Sequence, residues 1–392
     1  MKATKKRVVG ATKPAPKGKR IPYRLIAIIV AAILVIGGAV GTLCYFLFRA
    51  PTVFTYENVR VDANTYSYWL GCYKSSNVKY DEKAGFLDTP SGWNTAYGDE
   101  TYLSYYTDQI DRQIKQRIVA AALFDKSGYK LTEEETDEIL SWVSEIYGND
   151  KKAVKEHLKQ SYGANEKDVR AVALYEYKYI AYYYKVFGYD LSGAFDASLR
   201  EDAERFYNGN YVRFKQVFIS NDQTNNAARH IMRDALPTVD ENQFDLFIEN
   251  YDGEANMTTV YGDGAYLFSG ASYVIYDKDG EDAEASRLKN AEILSTIRSL
   301  EVGKATEVVT DEGSYFFYRC PLEENAYADP SNYWFGGDKS FPSFASVFSS
   351  FIYQDLIDAK IGDVTVNAEE KQNDALIHTK RNWEYNVVGM IR

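Results

Sequence analysis

The spacing of apolar residues between positions 100 and 185 is typical of amphipathic helices. Residues such as Ile110, Ile114 and Ile118 recur at three- and four-residue steps, so they line one face of a helix. Turn residues interrupt this pattern three times. The region therefore predicts one long helix that ends near residue 128 and three further helices at 132–147, 151–162 and 166–187.

Residues with strong capping preferences mark two of these helix ends. Gly128 follows the last apolar positions of the long helix, where glycine readily adopts the left-handed conformation. Thr132 and Glu135 open the next helix with the spacing of a capping box. A shorter helix through Trp69 is predicted earlier in the chain, with residues 61–64 as its N-terminal cap.

The second half of the chain mixes helical patterns with turns. Two helical stretches and a Gly-Asp-Gly turn at 262–264 lie between residues 212–219 and residues 310–317. A last helix is predicted at 344–359, followed by an extended segment at 364–367.

Residues 25–48 form an uncharged apolar run that predicts a membrane anchor. Its 24 residues span about 36 Å as a helix, which is enough to cross a bilayer. Nine basic and no acidic residues precede it, and this bias predicts a cytoplasmic tail at 1–24 with the bulk of the chain outside the cell membrane. A cleaved signal peptide is the alternative, although the run is longer than the usual apolar core and lacks a small-x-small site.

Charge is distributed unevenly along the chain. The formal net charge is −11, yet residues 1–49 hold ten basic and no acidic residues. The remainder is therefore more acidic than the whole, and such a surface repels the phosphates of nucleic acids. The sequence thus excludes nucleic acid as a partner.

Cysteine and histidine residues are few and widely spaced. Outside the apolar run only Cys72 and Cys320 are present, and from sequence they are either a disulfide pair or two free thiols. No cysteine or histidine spacing matches a metal site, so neither a metal nor another cofactor is expected. His230 lies in the predicted helix at 227–236 and is interpreted as a helix-face residue.

Residues 211–323 resemble a parvulin-type (PpiC, rotamase) prolyl isomerase domain. The run at 212–219, V-R-F-K-Q-V-F-I, is similar to the family's first strand, V-R-A-x-H-I-L, and 310–317 is similar to its last, T-x-x-G-x-H-I-I. The resemblance implies an α+β fold class with a small antiparallel sheet, and it places Gln216 and Tyr315 where the family carries histidines. The family's third polar position falls near Asp252 and Glu254.

The same resemblance implies a polar cluster and an apolar peptide pocket. The polar residues would be Gln216, Glu254 and Tyr315, a degenerate version of the family's catalytic set. The family's pocket leucine is replaced by Gly264. The residues expected to contact a peptide are Phe244, Leu267, Phe268, Ile293 and Phe317.

The helical region before this domain resembles the N-terminal chaperone module of the SurA and PrsA family of extracytoplasmic folding factors. The matching residues are 121–135, where a helix ends in Lys-Ser-Gly-Tyr and a Thr-Glu-Glu-Glu motif follows. In this family a C-terminal helix folds back on the module. The predicted helix at 166–187 is rich in tyrosine. Its side chains are expected either to contact unfolded chains or to pack in the core, and the residues concerned are Tyr175, Tyr179, Tyr182 and Tyr183.

The two resemblances together predict a membrane-anchored folding factor. Beyond the tail and the anchor, the expected regions are a helical chaperone module at 51–210, a parvulin-like domain at 211–323 and a C-terminal extension at 324–392 that packs on the module. The implied partners are unfolded or secreted polypeptides. An active prolyl isomerase and a non-catalytic envelope scaffold with one fixed partner are the alternatives, and the sequence does not determine the oligomeric state.

Overall fold

The computed structural model of the chain describes residues 50–77, 88–221, 226–251, 257–268, 283–328, 343–372 and 374–391. The chain divides into two compact units, Met1–Thr52 and Val53–Arg392. The predicted basic tail and membrane anchor lie outside the described residues. Within the ranges above, no helix has both the length and the apolar character required to cross a membrane.

The N-terminal part of the second unit is helical, as the apolar spacing predicts. Ile110, Ile114 and Ile118 are all fully buried, so the predicted apolar face is the face that packs. The helices are α1 (Ala63–Asn77), α2 (Pro90–Trp93), α3 (Tyr102–Lys126), α4 (Glu133–Tyr147), α5 (Lys151–Tyr162) and α6 (Glu166–Phe187).

The predicted caps are present. The Thr132 hydroxyl accepts a hydrogen bond from the Glu135 backbone N–H, and the Glu135 carboxylate accepts one from the Thr132 backbone N–H. Gly128 follows α3 with a φ of +75°, the left-handed conformation expected there. The Asp62 carboxylate accepts a hydrogen bond from the Thr65 backbone N–H at 3.0 Å and so caps α1.

Two small sheets flank the helices. β1 (Thr52–Tyr56) lies between β2 (Val59–Asp62) and β9 (Thr365–Val366), and Phe54 pairs with Val366. The extended segment predicted at 364–367 therefore pairs with the start of the compact unit. A short hairpin of β3 (Ala96–Tyr97) and β4 (Glu100–Thr101), which the sequence patterns did not predict, precedes α3.

The second half of the unit is built on a four-stranded antiparallel sheet in the order β6-β5-β8-β7. Two 3-10 turns, at Ser192–Phe195 and Ala197–Leu199, connect α6 to this part of the chain. Its helices are α7 (Arg200–Asn210), α8 (Asn226–Ala235), α9 (Glu241–Tyr251) and α10 (Ala283–Ser299). Its strands are β5 (Tyr211–Ser220), β6 (Met257–Phe268), β7 (Ala305–Val309) and β8 (Gly313–Cys320).

The turn predicted at residues 262–264 is a bulge inside β6. Between the pairs Phe214–Ala265 and Gln216–Val260, β6 uses more residues than β5, so the strand bends without reversing. Gly264 has a φ of +93°, and a Cβ there would lie 2.7 Å from Arg213 Nε. The positive φ favours glycine at this position, and a Cβ there would also displace the end of the Arg213 side chain, which lies over the bulge.

Each face of the four-stranded sheet is covered by helices, because side chains alternate along each strand. Val217 and Phe316 pack under α8 and α9, whereas Phe214 and Phe317 pack under α10 together with α7. His230 is exposed on α8, which confirms its interpretation as a helix-face residue.

A C-terminal helix, α11 (Phe344–Ile361), returns to the helical part of the unit. The Asp358 carboxylate accepts a hydrogen bond from Gln116 Nε2 of α3 at 2.8 Å. At its other end, Phe344 packs in the core of the sheet. One hydrophobic core therefore includes residues from both sides of the expected boundaries near 210 and 323.

Both cysteines of the described chain are free thiols. Cys72 lies on α1 and Cys320 at the end of β8, and both are fully buried. The sequence left open whether these two cysteines form a disulfide, and in the structure they do not. Burial raises the pKa of each thiol to about 12, so both are protonated and unreactive at neutral pH.

Candidate functional site

The structure brings two of the three predicted polar residues to one face of the sheet. Gln216 on β5 pairs with Phe317 on β8, and Phe218 pairs with Tyr315. Alternate residues point to the same side, so Gln216 and Tyr315 are diagonal neighbours on one face. Diagonal neighbours in an antiparallel pair are roughly 7–8 Å apart, which is within the reach of a tyrosine.

Aromatic rings surround Gln216 on this face. The rings of Phe218 and Tyr315 have centroids 4.6 Å apart, and Tyr315 stacks on Phe317 at 6.2 Å. Phe214 meets Phe317 edge to face at 6.0 Å. We call these four rings the aromatic row. They create an apolar environment with low dielectric, in which a polar contact is stronger than in water.

Gln216 has a buried hydrogen-bond acceptor that is unsatisfied. The residue is 3% exposed, and its Oε1 has no hydrogen-bond partner within the described chain. An unsatisfied buried acceptor costs about 1–3 kcal/mol, and such exceptions require an explanation. A peptide N–H could satisfy it once the cover on this face opens, which makes Gln216 the best candidate for a ligand contact.

Tyr315, the diagonal neighbour of Gln216, supplies a neutral hydroxyl on the same face of the sheet. Burial, with a further contribution from the Glu312 carboxylate, raises the pKa of the Tyr315 phenol to about 12. The phenol therefore keeps its proton at any physiological pH. It can donate a hydrogen bond, but it cannot serve as a general base.

The third predicted polar residue, Glu254, and the neighbouring Asp252 lie outside the described residues. The preceding helix α9 ends at Tyr251. Within the part of the chain that the structure describes, no group of acidic, histidine or cysteine side chains is arranged to hold a metal ion.

Three of the residues expected to line a peptide pocket are on the same face as Gln216. Leu267, Ile293 and Phe317 are all fully buried in the core between the sheet and α10. Leu267 and Ile293 pack behind the aromatic row, to which Phe317 belongs, and a peptide would reach these three residues only if α10 moved.

The placement of Phe244 corrects one expectation. Phe244 is fully buried on the opposite face of the sheet, with its ring 5.6 Å from that of Tyr318. Because Tyr318 and Phe317 are consecutive residues of β8, they point to opposite sides. Phe244 therefore cannot share a pocket with Gln216.

Phe268 is also distant from Gln216. It pairs with Tyr211, five positions from Gln216 along β5, which is roughly 16 Å of strand. Its ring stacks on that of Phe206 at 5.8 Å, at the junction with α7. Phe268 thus belongs to a different aromatic cluster.

The four tyrosines of α6 pack against other helices of the unit, with Tyr182 buried and the other three half-buried. Tyr179, Tyr182 and Tyr183 surround Tyr353 of α11, with centroid distances of 5.2, 5.9 and 5.3 Å. Tyr175 stacks on Trp69 of α1 at 5.7 Å. Of the two roles predicted for these residues, their positions fit packing, because α1 and α11 cover this side of α6.

The structure shows two charged features that the sequence patterns did not reveal. Behind the sheet, Lys215 Nζ lies 3.0 Å from the Glu241 carboxylate and 2.6 Å from that of Asp245, and these contacts hold α9 on the strand. The sequence signal for this feature is the alternation of Arg213 and Lys215 with apolar residues along β5. In the helical part, Glu176 is buried in a network that joins α1, α3 and α6.

A cavity of about 320 Å³ lies between the 3-10 turn at Ser192–Phe195, α7 and residues 325–328. Its lining combines Phe195 and Tyr327 with the exposed Arg200. None of the predicted site residues lines this cavity, so it is distinct from the aromatic row.

We expect Gln216→Leu to leave the fold as stable as before, or to stabilise it by up to about 1 kcal/mol, because it removes an unsatisfied acceptor. Gln116 is a matched control that is 4% exposed, but its amide group has partners in Asp358 and Arg117. Gln116→Leu should cost about 1–3 kcal/mol. Urea unfolding followed by circular dichroism measures both changes. An equal loss in the two variants would show that Gln216 is an ordinary core residue.

No protein-family model matches this sequence, and no curated protein matches it. Among solved structures, the chain is similar to the foldase protein PrsA from Streptococcus pneumoniae strain Canada MDR_19A. The similarity covers 83% of this chain and 98% of that one, with 11% identity and a TM-score of 0.22. An identity and a TM-score this low carry no argument about function. The proposed function rests on the geometry of the chain.

Proposed function

We propose that this chain is a folding factor that binds unfolded polypeptides outside the cytoplasm, and that its four-stranded sheet binds proline-containing segments with little or no isomerase activity. The observation that supports this most directly is the buried, unsatisfied Oε1 of Gln216 within the aromatic row. Aromatic rings favour contact with proline and other apolar side chains. The amide oxygen accepts a backbone N–H, which every residue except proline carries.

The chemistry of the site favours binding over catalysis. Prolyl isomerisation crosses a barrier of about 18–20 kcal/mol because resonance keeps the amide planar. A catalyst has to interact more strongly with the twisted amide than with the planar one. Gln216 and Tyr315 are both neutral, and the raised pKa of Tyr315 keeps it so. Neither group carries a charge that would interact more strongly with the redistributed electrons of the twisted amide.

The location proposed for this activity follows from the N-terminal sequence. An anchor at residues 25–48, with the basic tail in the cytoplasm, would hold the compact unit on the outer face of the cell membrane. A tethered unit in that position meets polypeptides as they leave the secretion channel. The acidic character of the chain beyond residue 49 would favour basic clients.

An active prolyl isomerase is the second candidate, and the position of Gln216 beside Tyr315 favours it. In that case the free amide oxygen would bind the N–H that follows the twisting bond, and Glu254 would supply a carboxylate. A scaffold with one fixed partner is the third possibility, and it differs in lacking affinity for unrelated unfolded chains.

Two assays on residues 51–392, which include the compact unit Val53–Arg392, distinguish these functions. We expect suppression of aggregation of unrelated unfolded proteins, such as reduced α-lactalbumin, at near-stoichiometric ratios. We expect less than a twofold acceleration of cis-to-trans conversion in a short proline peptide. Gln216→Leu should weaken binding of that peptide by about fivefold, the equivalent of one hydrogen bond.

The matched control for the binding measurement is Gln116→Leu, which is distant from the sheet and should leave peptide affinity unchanged. Catalysis by the unmodified chain that disappears in Glu254→Ala would establish a rebuilt active site. A chain that is folded but does not suppress aggregation of any unrelated protein would exclude the general folding factor and leave the fixed-partner scaffold.

A further inference from the structure

Residues 374–391 lie along α1 and are bound through backbone groups, with side-chain contacts from Asn386 to the Cys72 carbonyl and from Arg381 to the Asp88 carboxylate. The buried ammonium of Lys74, which is 1% exposed, donates hydrogen bonds to the Leu376 carbonyl at 2.5 Å and the Thr379 carbonyl at 2.8 Å. Apart from the single turn of α12 (Ala375–His378), the segment has no regular secondary structure. Some backbone groups bond within the segment, as the Thr379 N–H does to the Ala375 carbonyl, and α1 satisfies others.

Successive residues of α1 continue this backbone recognition. The Tyr68 hydroxyl donates to the Tyr385 carbonyl at 2.7 Å and lies 3.4 Å from the Val387 backbone nitrogen. The Gly71 carbonyl accepts from the Asn382 backbone N–H at 3.1 Å. Such contacts depend on the path of the chain and tolerate many sequences, in the manner of peptide-binding proteins that recognise extended segments through main-chain hydrogen bonds.

We call the surface of α1 that holds this segment the groove. Its shape also depends on a close approach of two backbones. A Cβ at Gly71 would lie 2.9 Å from the Lys380 carbonyl oxygen and 2.6 Å from the Tyr162 ring. Glycine at this position lets the segment lie directly on the helix. Two apolar side chains, Leu376 and Val387, are buried at 1% and 0% exposure and anchor the segment at its two ends.

We propose that this groove on α1 is a polypeptide-binding site that the chain's own C-terminal segment, residues 374–391, occupies in cis. An unfolded client with apolar residues at a similar spacing competes with the segment for the same groups of α1, the Lys74 ammonium, the Tyr68 hydroxyl and the Gly71 carbonyl. The segment therefore lowers the affinity for clients until they displace it. This inference rests on the proposed folding-factor function and assigns it a second site, separate from the aromatic row.

The test uses the full chain with a protease site inserted after the exposed Gln372. Cleavage leaves the segment in place but removes the covalent link, so exchange becomes measurable. A fluorescent peptide with the sequence of residues 374–391 should bind the cleaved protein saturably in fluorescence polarisation, and bind the uncleaved protein at least tenfold more weakly. Carboxymethylated α-lactalbumin should bind the cleaved protein at least fivefold more tightly, and excess free peptide should reverse this gain.

Two tyrosines of α1 provide a matched pair of variants. Tyr68→Phe removes the hydroxyl that contacts the segment, whereas Tyr66→Phe removes a buried hydroxyl that donates to Asp111 at 3.0 Å and does not contact the segment. Both changes leave the ring in place, so both should fold. We expect Tyr68→Phe to weaken peptide binding about fivefold and Tyr66→Phe to leave it unchanged, because one hydrogen bond is worth about that factor.

The outcomes separate this inference from the proposed function. If the peptide does not exchange, or exchanges without affecting α-lactalbumin, the segment is a fixed part of the core and the inference fails, while client binding elsewhere leaves the proposed function intact. Equal peptide affinity in the two tyrosine variants also overturns it. If neither form of the protein binds any unfolded client, the proposed function fails and this inference with it.

Discussion

Glu176→Gln is expected to lower the free energy of unfolding by about 3–5 kcal/mol, the range for removing one partner of a buried ion pair. Glu176 is 5% exposed, and its Oε2 lies 3.1 Å from Arg117 Nε. Its Oε1 accepts hydrogen bonds from the Trp69 indole at 2.8 Å and the Tyr73 hydroxyl at 2.5 Å. The charge of Glu176 therefore joins α1, α3 and α6 at one point.

Arg117 explains why the loss should be large. Burial by itself lowers the pKa of the Arg117 guanidinium, but the neighbouring Tyr73 and Glu176 raise it above its ordinary value. The guanidinium also lies 4.2 Å from the centre of the Tyr179 ring. Without the Glu176 carboxylate, a positive charge that is permanently ionised stays in the core with no counter-charge in this network.

Glu166→Gln on the same helix is the control for Glu176→Gln. Glu166 pairs with Arg170 one turn away at 2.7 Å, but both side chains are solvent-exposed, at 40% and 51%. Exposed pairs of this kind contribute about 0.3–0.5 kcal/mol. Urea unfolding of residues 51–392, followed by circular dichroism, measures both variants. Similar small losses in the two would mean that Arg117 finds water or another acceptor when Glu176 loses its charge.

Phe344→Ala is the second change with a large expected effect, about 3–5 kcal/mol, as for other buried phenylalanines. Phe344 is 1% exposed at the start of α11. Its ring centroid lies 5.4 Å from Tyr327, 5.7 Å from Tyr211 and 6.2 Å from Phe206. One side chain thus connects the C-terminal helix, α7 and the first strand of the sheet.

Loss of this contact should also change how the unit unfolds. The same helix reaches the tyrosines of α6 through Tyr353, so α11 connects the sheet, through Phe344, to the helical part of the unit. We expect Phe344→Ala to separate a single calorimetric transition into two, because the sheet loses its support first. Differential scanning calorimetry detects the separation.

Phe351→Ala, on the same helix, is the control for Phe344→Ala. Its side chain is 46% exposed, although its ring lies 4.7 Å from that of Phe206. Half of its apolar area is already in water, so we expect a loss of about 1 kcal/mol and a single transition. If Phe351→Ala costs as much as Phe344→Ala, the junction is held by total aromatic area, and the buried position of Phe344 has no special importance.

Local sequence determined the helices of this protein and their ends. The periodicity of Ile110, Ile114 and Ile118, the capping box at Thr132 and the left-handed Gly128 depend on interactions within a few residues. Such signals are readable from one segment because they do not depend on which other segment packs nearby.

The predicted neighbourhood of Gln216 and Tyr315 came from a match to two strand motifs, and the structure does place the two side chains on one face. The predicted pocket was less accurate, since Phe244 lies on the opposite face. Sheet pairing brings together residues about a hundred positions apart. A shift of one position moves a side chain to the other face, so small errors in register change the composition of a pocket.

The sequence by itself determined an acidic α+β chain with a basic, apolar N-terminus and a helix-rich half before a sheet-rich half. Only the tertiary structure decided that α11 covers the tyrosines of α6, that Gln216 Oε1 stays unsatisfied and that residues 374–391 lie on α1. The reason is physical. Composition and periodicity act along the chain, whereas burial, the partner of a buried polar atom and the path of an irregular segment depend on contacts between residues up to 319 positions apart.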